Sequence, residues 1–426
     1  MQIDVPYGKA RKSIAVPTDG LVDVLTPRPS SVIDDVEAAV VAALRSPVDS
    51  PALDEIAGES SRVVILVSDL TRSGGTEALL PICVQYLKDL GVQAGNTTVL
   101  ISRGAHRKLT KAERQVFKSG ELAGVTVKEH DCDDTAELSA LLLTSRQTPV
   151  RVNRALKDAD LVLILSPISF HYFAGFGGGR KLVLPGCADR HSIIANHRLS
   201  LADTKPVQLQ AACRAGVLDG NPVHEDMCEA MLAIRGVFAV NFFCDANGDF
   251  LSVNAGEPVE SHRQACHDYR DVHRVKIEEL YDVIVLSAGG HPYDMNLLQS
   301  HKALRHAGGA LKEGGKILFM AECPEGVGSD SLATSLATPK EKFLDTAFEK
   351  YDLNNQAAVS LHDLTSKYEI AMVSAMNVDT LLACNIKSCV NTEVFLTEAI
   401  GKTGGRVAAI PNGRSVLPVW NSGGTD

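Results

Sequence analysis

The chain has 426 residues, 45% hydrophobic and 22% charged, a balance suited to a folded globular protein with more than one core. Its 52 acidic against 42 basic residues give a formal net charge of -10, which argues against a nucleic-acid partner because such a partner wants a basic face. The segment Met1 to Pro17 lacks the apolar core of a signal peptide, and the longest apolar run, Leu161 to Leu165, is too short to span a bilayer. No membrane association is expected. The 10 cysteines form no C-x-x-C pair and only Cys384 and Cys389 lie close together, so they read as thiols in a reducing, cytoplasmic compartment.

In chain order, Val63 to Val67 reads as a fully buried strand, and Glu77 to Leu90 has helical periodicity that stops at Gly91. Thr97 to Ile101 is the next strand, Val125 to Val127 a short one, and Leu161 to Leu165 the strongest. A helix is expected from Asp189, a suitable N-cap, to Asn196. The polar, helical stretch His262 to Glu279 reads as a domain boundary. A second series follows. Asp282 to Leu286 is a strand, Leu297 to Leu311 a helix ended by Gly314-Gly315, and Lys316 to Met320 a strand. Helical patterns then cover Lys340 to Tyr351 and Gln356 to Ser366, and Glu369 to Val373 is extended.

This alternation predicts an α/β protein of two domains, each built on a mostly parallel sheet flanked by helices, with the active site in the cleft between them. The expected units are residues 1–273, a cofactor-binding domain, and 274–402, an α/β domain contributing substrate contacts. The last strand candidate, Arg406 to Ile410, is expected to return to the first unit, so that 403–426 completes it.

Open parallel sheets bind ligands at the carboxyl ends of their strands. The segments following four of these strands begin Ser68-Asp69-Leu70-Thr71-Arg72, Ser102-Arg103-Gly104-Ala105-His106, Ser166-Pro167-Ile168-Ser169-Phe170-His171 and Ser287-Ala288-Gly289-Gly290-His291. Each mixes Gly or Pro with ionisable groups. His106 and His171 are therefore candidates for proton transfer, although a lone loop histidine is more often a surface residue. Arg72 offers a planar fork for a carboxylate or phosphate, and Asp69 either orients it or accepts a ribose hydroxyl; a local pair closing a turn serves equally well.

The densest signal is Gly175-Phe176-Gly177-Gly178-Gly179-Arg180-Lys181. It lacks both the Gly-Lys-Ser/Thr ending of a nucleotide P-loop and the strand-to-helix spacing of a dinucleotide fingerprint. Gly177, Gly178 and Gly179 suit an anion cradle or a tight structural turn, and the adjacent Lys181 adds a point charge or a nucleophilic amine. His197 follows the expected helix and suits a satisfied helix-end residue or a metal ligand, with His191 as its rival. Gln299 and Lys302, at i and i+3, share a helix face that is either solvated or turned to one ligand.

Together, the run from His171 to Gly186, the Ser68 to Arg72 loop and the Leu298 to Lys302 helix resemble the lactate racemase family. The resemblance implies a racemase or epimerase that inverts C2 of lactate or another small 2-hydroxy acid. It implies reversible, proton-coupled hydride transfer through a 2-keto acid. It implies a nickel-pincer nucleotide, a pyridinium-3-thioamide-5-thiocarboxylic acid mononucleotide, joined to Lys181, with His197 as the nickel ligand. His106 and His171 then exchange the hydroxyl proton on opposite faces of the substrate. Asp69, Thr71 and Arg72 match the loop that binds cofactor phosphate or substrate, and Gln299 and Lys302 match groups that hold the substrate carboxylate. The enzymes that build the cofactor are implied partners. The chain departs from the family in carrying Leu298 where a tyrosine is usual, His291 where an aromatic residue is common, and its single tryptophan at Trp420. Two other readings fit the residues alone. One is a non-catalytic phosphate- or nucleotide-binding module; the other is a nicotinamide-dependent 2-hydroxy acid dehydrogenase.

Overall fold

A computed structural model describes residues 1–17, 22–69, 74–117, 120–401 and 405–420. Two six-stranded sheets organise it. In the first, the order is Phe250–Gly256, Val237–Cys244, Leu161–Pro167, Val63–Ser68, Thr97–Ser102, Thr126–Glu129. All neighbours are parallel except Phe250–Gly256, which runs antiparallel to Val237–Cys244. Every residue of Val63–Ser68 is buried, as is all of Leu161–Pro167 but its last residue, because cores form on both faces of the sheet. That is why these strands read as unbroken apolar runs rather than as an alternation. The chain leaves Val63–Ser68 towards one edge and later returns to its other side with Leu161–Pro167. This reversal opens a crevice at the carboxyl ends of the two strands.

The second sheet is wholly parallel, in the order Lys387–Ser388, Glu369–Val373, Leu311–Met320, Tyr281–Ser287, Val407–Ile410, Val22–Val24. Its composition corrects the expected course of the chain. Val407–Ile410 lies in this sheet, paired with Val283 to Leu286, and does not return to the first. All four of its residues are buried, so it needs the two-sided cover that a central strand receives. The amino-terminal residues also belong here. Val22–Val24 forms an edge, and the hairpin Gln2–Tyr7/Ala10–Ala15 lays Ile3, Val5, Ile14 and Val16 against Val283, Val285, Leu318 and Met320. The stretch expected to be a boundary is the Glu260–His273 helix, packed on the first sheet, followed by Arg274–Ile277, which pairs with Leu417–Trp420.

One helix end also moves. The helix read as Leu297 to Leu311 is Leu297–Gly308, and Gly314-Gly315 falls inside the strand Leu311–Met320, where the pairing with Tyr281–Ser287 shifts register. The stopping signal is the earlier Gly308-Gly309 pair. The helix expected over Lys340 to Tyr351 is a shorter Lys340–Thr346. Among the described residues, no helix is long and apolar enough to cross a membrane.

Candidate active site

A cavity of about 500 Å³ lies between the carboxyl ends of the first sheet and the Leu297–Gly308 helix of the second. It brings together His106, His171, Lys181, His197, Gln299 and Lys302, with Asp69 at its wall. Thr71 and Arg72 lie outside the described residues.

His106 comes from the loop after Thr97–Ser102, and its Nδ1 is 2.7 Å from Oδ2 of buried Asp69, which follows Val63–Ser68. Asp69, read as a cofactor or ribose contact, therefore has an imidazole as a partner. With a carboxylate at Nδ1, the ring holds its proton there and leaves Nε2 as the basic nitrogen. Arg103 supports the loop from behind. It is buried, pairs with Glu129 and Asp131 at 3.1 Å each, and donates to the His106 carbonyl.

His171 is buried, and its Nδ1 accepts from the Ala174 N–H at 3.3 Å. A neutral ring in that setting carries its proton on Nε2. Phe173, which sequence reasoning did not single out, joins the group. Its ring meets His171 edge-on at 4.6 Å and His197 at 5.0 Å, and Lys181 Nζ lies 5.3 Å from its centre. Tyr172 is buried beside it, with its phenol pushed upward by desolvation, and packs edge-on against His301 at 4.8 Å.

Lys181 is 1% exposed, an unusual burial for an ammonium-bearing side chain. The three glycines before it are not among the residues lining the cavity, and of their two expected roles, anion cradle or tight structural turn, the packing around them fits the turn. A Cβ on Gly177 would stand 3.0 Å from Ser169 Oγ, on Gly178 2.8 Å from Ile168 Cδ1, and on Gly179 2.7 Å from His262 Cδ2. The glycines let the backbone press against the protein and so aim Lys181 at the cavity. Buried Arg180 locks that turn by donating to the carbonyls of Ala174, Phe176 and Gly178 at 2.8, 3.0 and 3.2 Å.

His197 sits near the end of the Arg190–Arg198 helix, whose N-cap Asp189 accepts from Ser192 N–H at 2.8 Å. It is buried in the cavity wall, whereas its rival His191 is exposed and away from it. Across the cavity, Asn296 caps the Leu297–Gly308 helix through Gln299 N–H at 3.0 Å. Gln299 and Lys302 are both buried, not solvated, and Lys302 Nζ donates to Gln299 Oε1. With its oxygen so engaged, the Gln299 amide keeps its N–H groups for an anion. Leu298 and His291 line the same side, and Trp420 does not. Asn296 and Gln356, which reach the cavity from the second half, carried no signal in the sequence pattern.

Residues 7–208 match the lactate racemase N-terminal domain, and residues 277–418 match the lactate racemase C-terminal domain. A lactate racemase of Thermoanaerobacterium thermosaccharolyticum is 30% identical over 332 residues, 77% of this chain and 76% of that protein. One from Lactiplantibacillus plantarum is 26% identical over 97% of this chain and 99% of its own length. The solved lactate racemase apoprotein from Thermoanaerobacterium thermosaccharolyticum superposes with a TM-score of 0.87 at 25% identity, covering 98% of this chain and all of that one (100%). A protein from Thermotoga maritima shares the fold at a TM-score of 0.70 and 16% identity, covering 90% of this chain and 98% of its own. Fold and relatives define the chain as a racemase, an isomerase of two α/β halves with a site between them. It belongs to the lactate racemase family.

Proposed function

We propose that the chain inverts C2 of a small 2-hydroxy acid, lactate or a short-chain relative, with a nickel-pincer nucleotide joined to Lys181. The observation that carries this reading is the convergence of buried Lys181, buried His197 and His171 around one Phe173 ring. The donor set fits the group: a buried amine suits a covalent anchor, and an imidazole suits nickel. Gly104 and Gly186 line the same cavity. Once bound, the group supplies a reversible hydride acceptor.

The chain's own residues supply the rest. Lys302 and the Gln299 N–H groups hold the substrate carboxylate, and their mutual hydrogen bond fixes the two donors together. His106 Nε2, which carries the ring's lone pair while Asp69 holds the proton at Nδ1, takes the hydroxyl proton. A planar 2-keto acid then presents its other face, and His171 returns a proton there. Two proton sites on separate loops allow inversion with no net redox change. Cofactor attachment thus falls to the first sheet's loops and carboxylate binding to the second half. The enzyme works in the cytoplasm, beside the enzymes that build its cofactor.

The test is made on protein produced together with those enzymes. The Lys181 peptide should gain the mass of the nucleotide, and a C2-deuterated 2-hydroxy acid should keep its deuterium in the inverted product. Active protein with bare Lys181, or deuterium lost to water, sinks the proposal.

A further inference from the structure

Behind His197 lies a buried polar chain that the reaction scheme does not use. His197 Nδ1 is 3.2 Å from Asn196 Oδ1. The amide of Asn196 has its orientation set from the other side. Its Nδ2 donates to the Val223 carbonyl at 3.2 Å and to Asp226 Oδ2 at 2.8 Å, both on the Pro222–Leu232 helix. A backbone carbonyl can only accept, so the nitrogen must face that helix and the oxygen must face His197. Asp226 is held in turn. Thr144 Oγ1 donates to its Oδ1 at 2.5 Å, and the Thr144 oxygen accepts from Thr148 N–H at 3.0 Å, which directs the hydroxyl proton to the carboxylate. Asn196 and Asp226 are 0% exposed and Thr144 is 2% exposed, so no water competes for these bonds.

The chain has a chemical consequence at the cavity. An amide oxygen beside Nδ1 can only be met by a ring that carries its proton on Nδ1. A neutral histidine in water favours the other tautomer, with its proton on Nε2, which has no lone pair there for a metal. Outer hydrogen bonds of this kind commonly fix the tautomer and orientation of a ligating histidine.

We infer that Asn196, oriented by Asp226 and Thr144, is a positioning residue that locks His197 as the Nδ1–H tautomer and so keeps its Nε2 lone pair ready for nickel. This rests on the reading of His197 as the nickel ligand, but the tautomer itself is observable without any metal. Neither Asn196 nor Asp226 need touch substrate or cofactor. The Asp226 contact spans 30 residues of sequence, so it ties the His197 helix to the Pro222–Leu232 helix as well as setting a proton.

The experiment begins with nitrogen-15 NMR of the unloaded full chain at pH 8, the His197 ring being assigned by its loss in His197→Gln. Wild type should show Nδ1 protonated and Nε2 bare. Asn196→Leu should move the proton to Nε2, and Asp226→Asn, nearly isosteric, should move it in part. Wild-type protein with its proton on Nε2 overturns the inference by itself, whatever the variants do. So does an unchanged tautomer in folded Asn196→Leu. On loaded protein, Asn196→Leu should lose nickel about 10- to 100-fold faster than wild type on dialysis against chelator. Nickel held normally by Asn196→Leu but lost by His197→Gln overturns the link to the metal. Nickel held normally by both, with the tautomer shift intact, leaves the positioning chain standing and removes His197 from the nickel site, a failure of the functional reading instead.

Discussion

Asp69 and His106 are joined by a 2.7 Å contact in which the carboxylate is buried and the imidazole partly open to the cleft. The carboxylate can accept only, so it selects the imidazole tautomer whose Nε2 is basic. An asparagine at this place can turn its N–H towards Nδ1 and select the opposite tautomer, which cannot take a proton at Nε2. Asp69→Asn should therefore lower kcat on the order of 100-fold, the scale of a lost general base. On the proposed function, nickel content and the mass at Lys181 should stay at wild-type levels, because in that reading Asp69 acts through the imidazole. Metal analysis beside steady-state kinetics separates this from the sequence-based expectation. An Asp69→Asn protein that has lost its adduct would return Asp69 to the cofactor's phosphate, and one with undiminished kcat would leave the pair without a catalytic role.

At the scale of elements, the glycine-rich turn works by being thin. Gly178 has φ +74, and a Cβ there would stand 2.8 Å from Ile168 Cδ1, 2.9 Å from the Pro167 carbonyl and 3.0 Å from Ser166 Oγ. Gly178→Ala must meet both the left-handed backbone and a strand end that cannot retreat. A cost of about 1 to 3 kcal/mol is expected, read as a lowered midpoint in urea. The yield of the proposed Lys181 adduct should fall with it, since Lys181 is three residues further along the same turn; an alanine variant that melts and loads like wild type would show that the turn has slack. The turn was legible as unusual in the sequence, but its purpose was not. Three glycines look alike whether they face an anion or a neighbouring strand, and only the packing of Ile168, Ser169 and His262 distinguishes the two. The parallel strands were legible because burial on both faces forces unbroken apolar runs such as Val63 to Val67. The candidate histidines followed from them, because strand ends in such sheets converge. Sheet membership was not legible for Val407–Ile410 or Val22–Val24, since an apolar run encodes burial and not its partner. Asn196 and Asp226 were invisible for a similar reason: ordinary polar residues on separate helices become a chain only when the helices pack.

Over the whole molecule, histidine burial dominates the response to acid. His224, His262, His273, His301 and His306 are all buried, and desolvation pulls them from 6.5 down to about 2, 3, 4, 3 and 3 respectively. Positive neighbours push several of them the same way, Arg180 acting on His224 and His262, and Arg414 on His306. These are bases whose folded values lie below their unfolded ones. The unfolded chain therefore binds more protons than the folded chain between pH 6.5 and about 4, and stability must rise with pH across that window. Acidification reverses the gain: each ring stays neutral in the fold while its unfolded counterpart charges. Glu113, held down at about 2 chiefly by its hydrogen bond to Arg107, adds to the same trend at lower pH, though solvent screens that pair. The expected result is a urea midpoint nearly constant above pH 7.5 that falls steeply from pH 6.5 to 5, with unfolding at pH 5 taking up as many as five protons from these rings. Calorimetry in buffers of different ionisation enthalpy would count them. A midpoint that stays flat or rises on going from pH 6.5 to 5 is incompatible with five imidazoles sealed in neutral form, because the linkage fixes the sign.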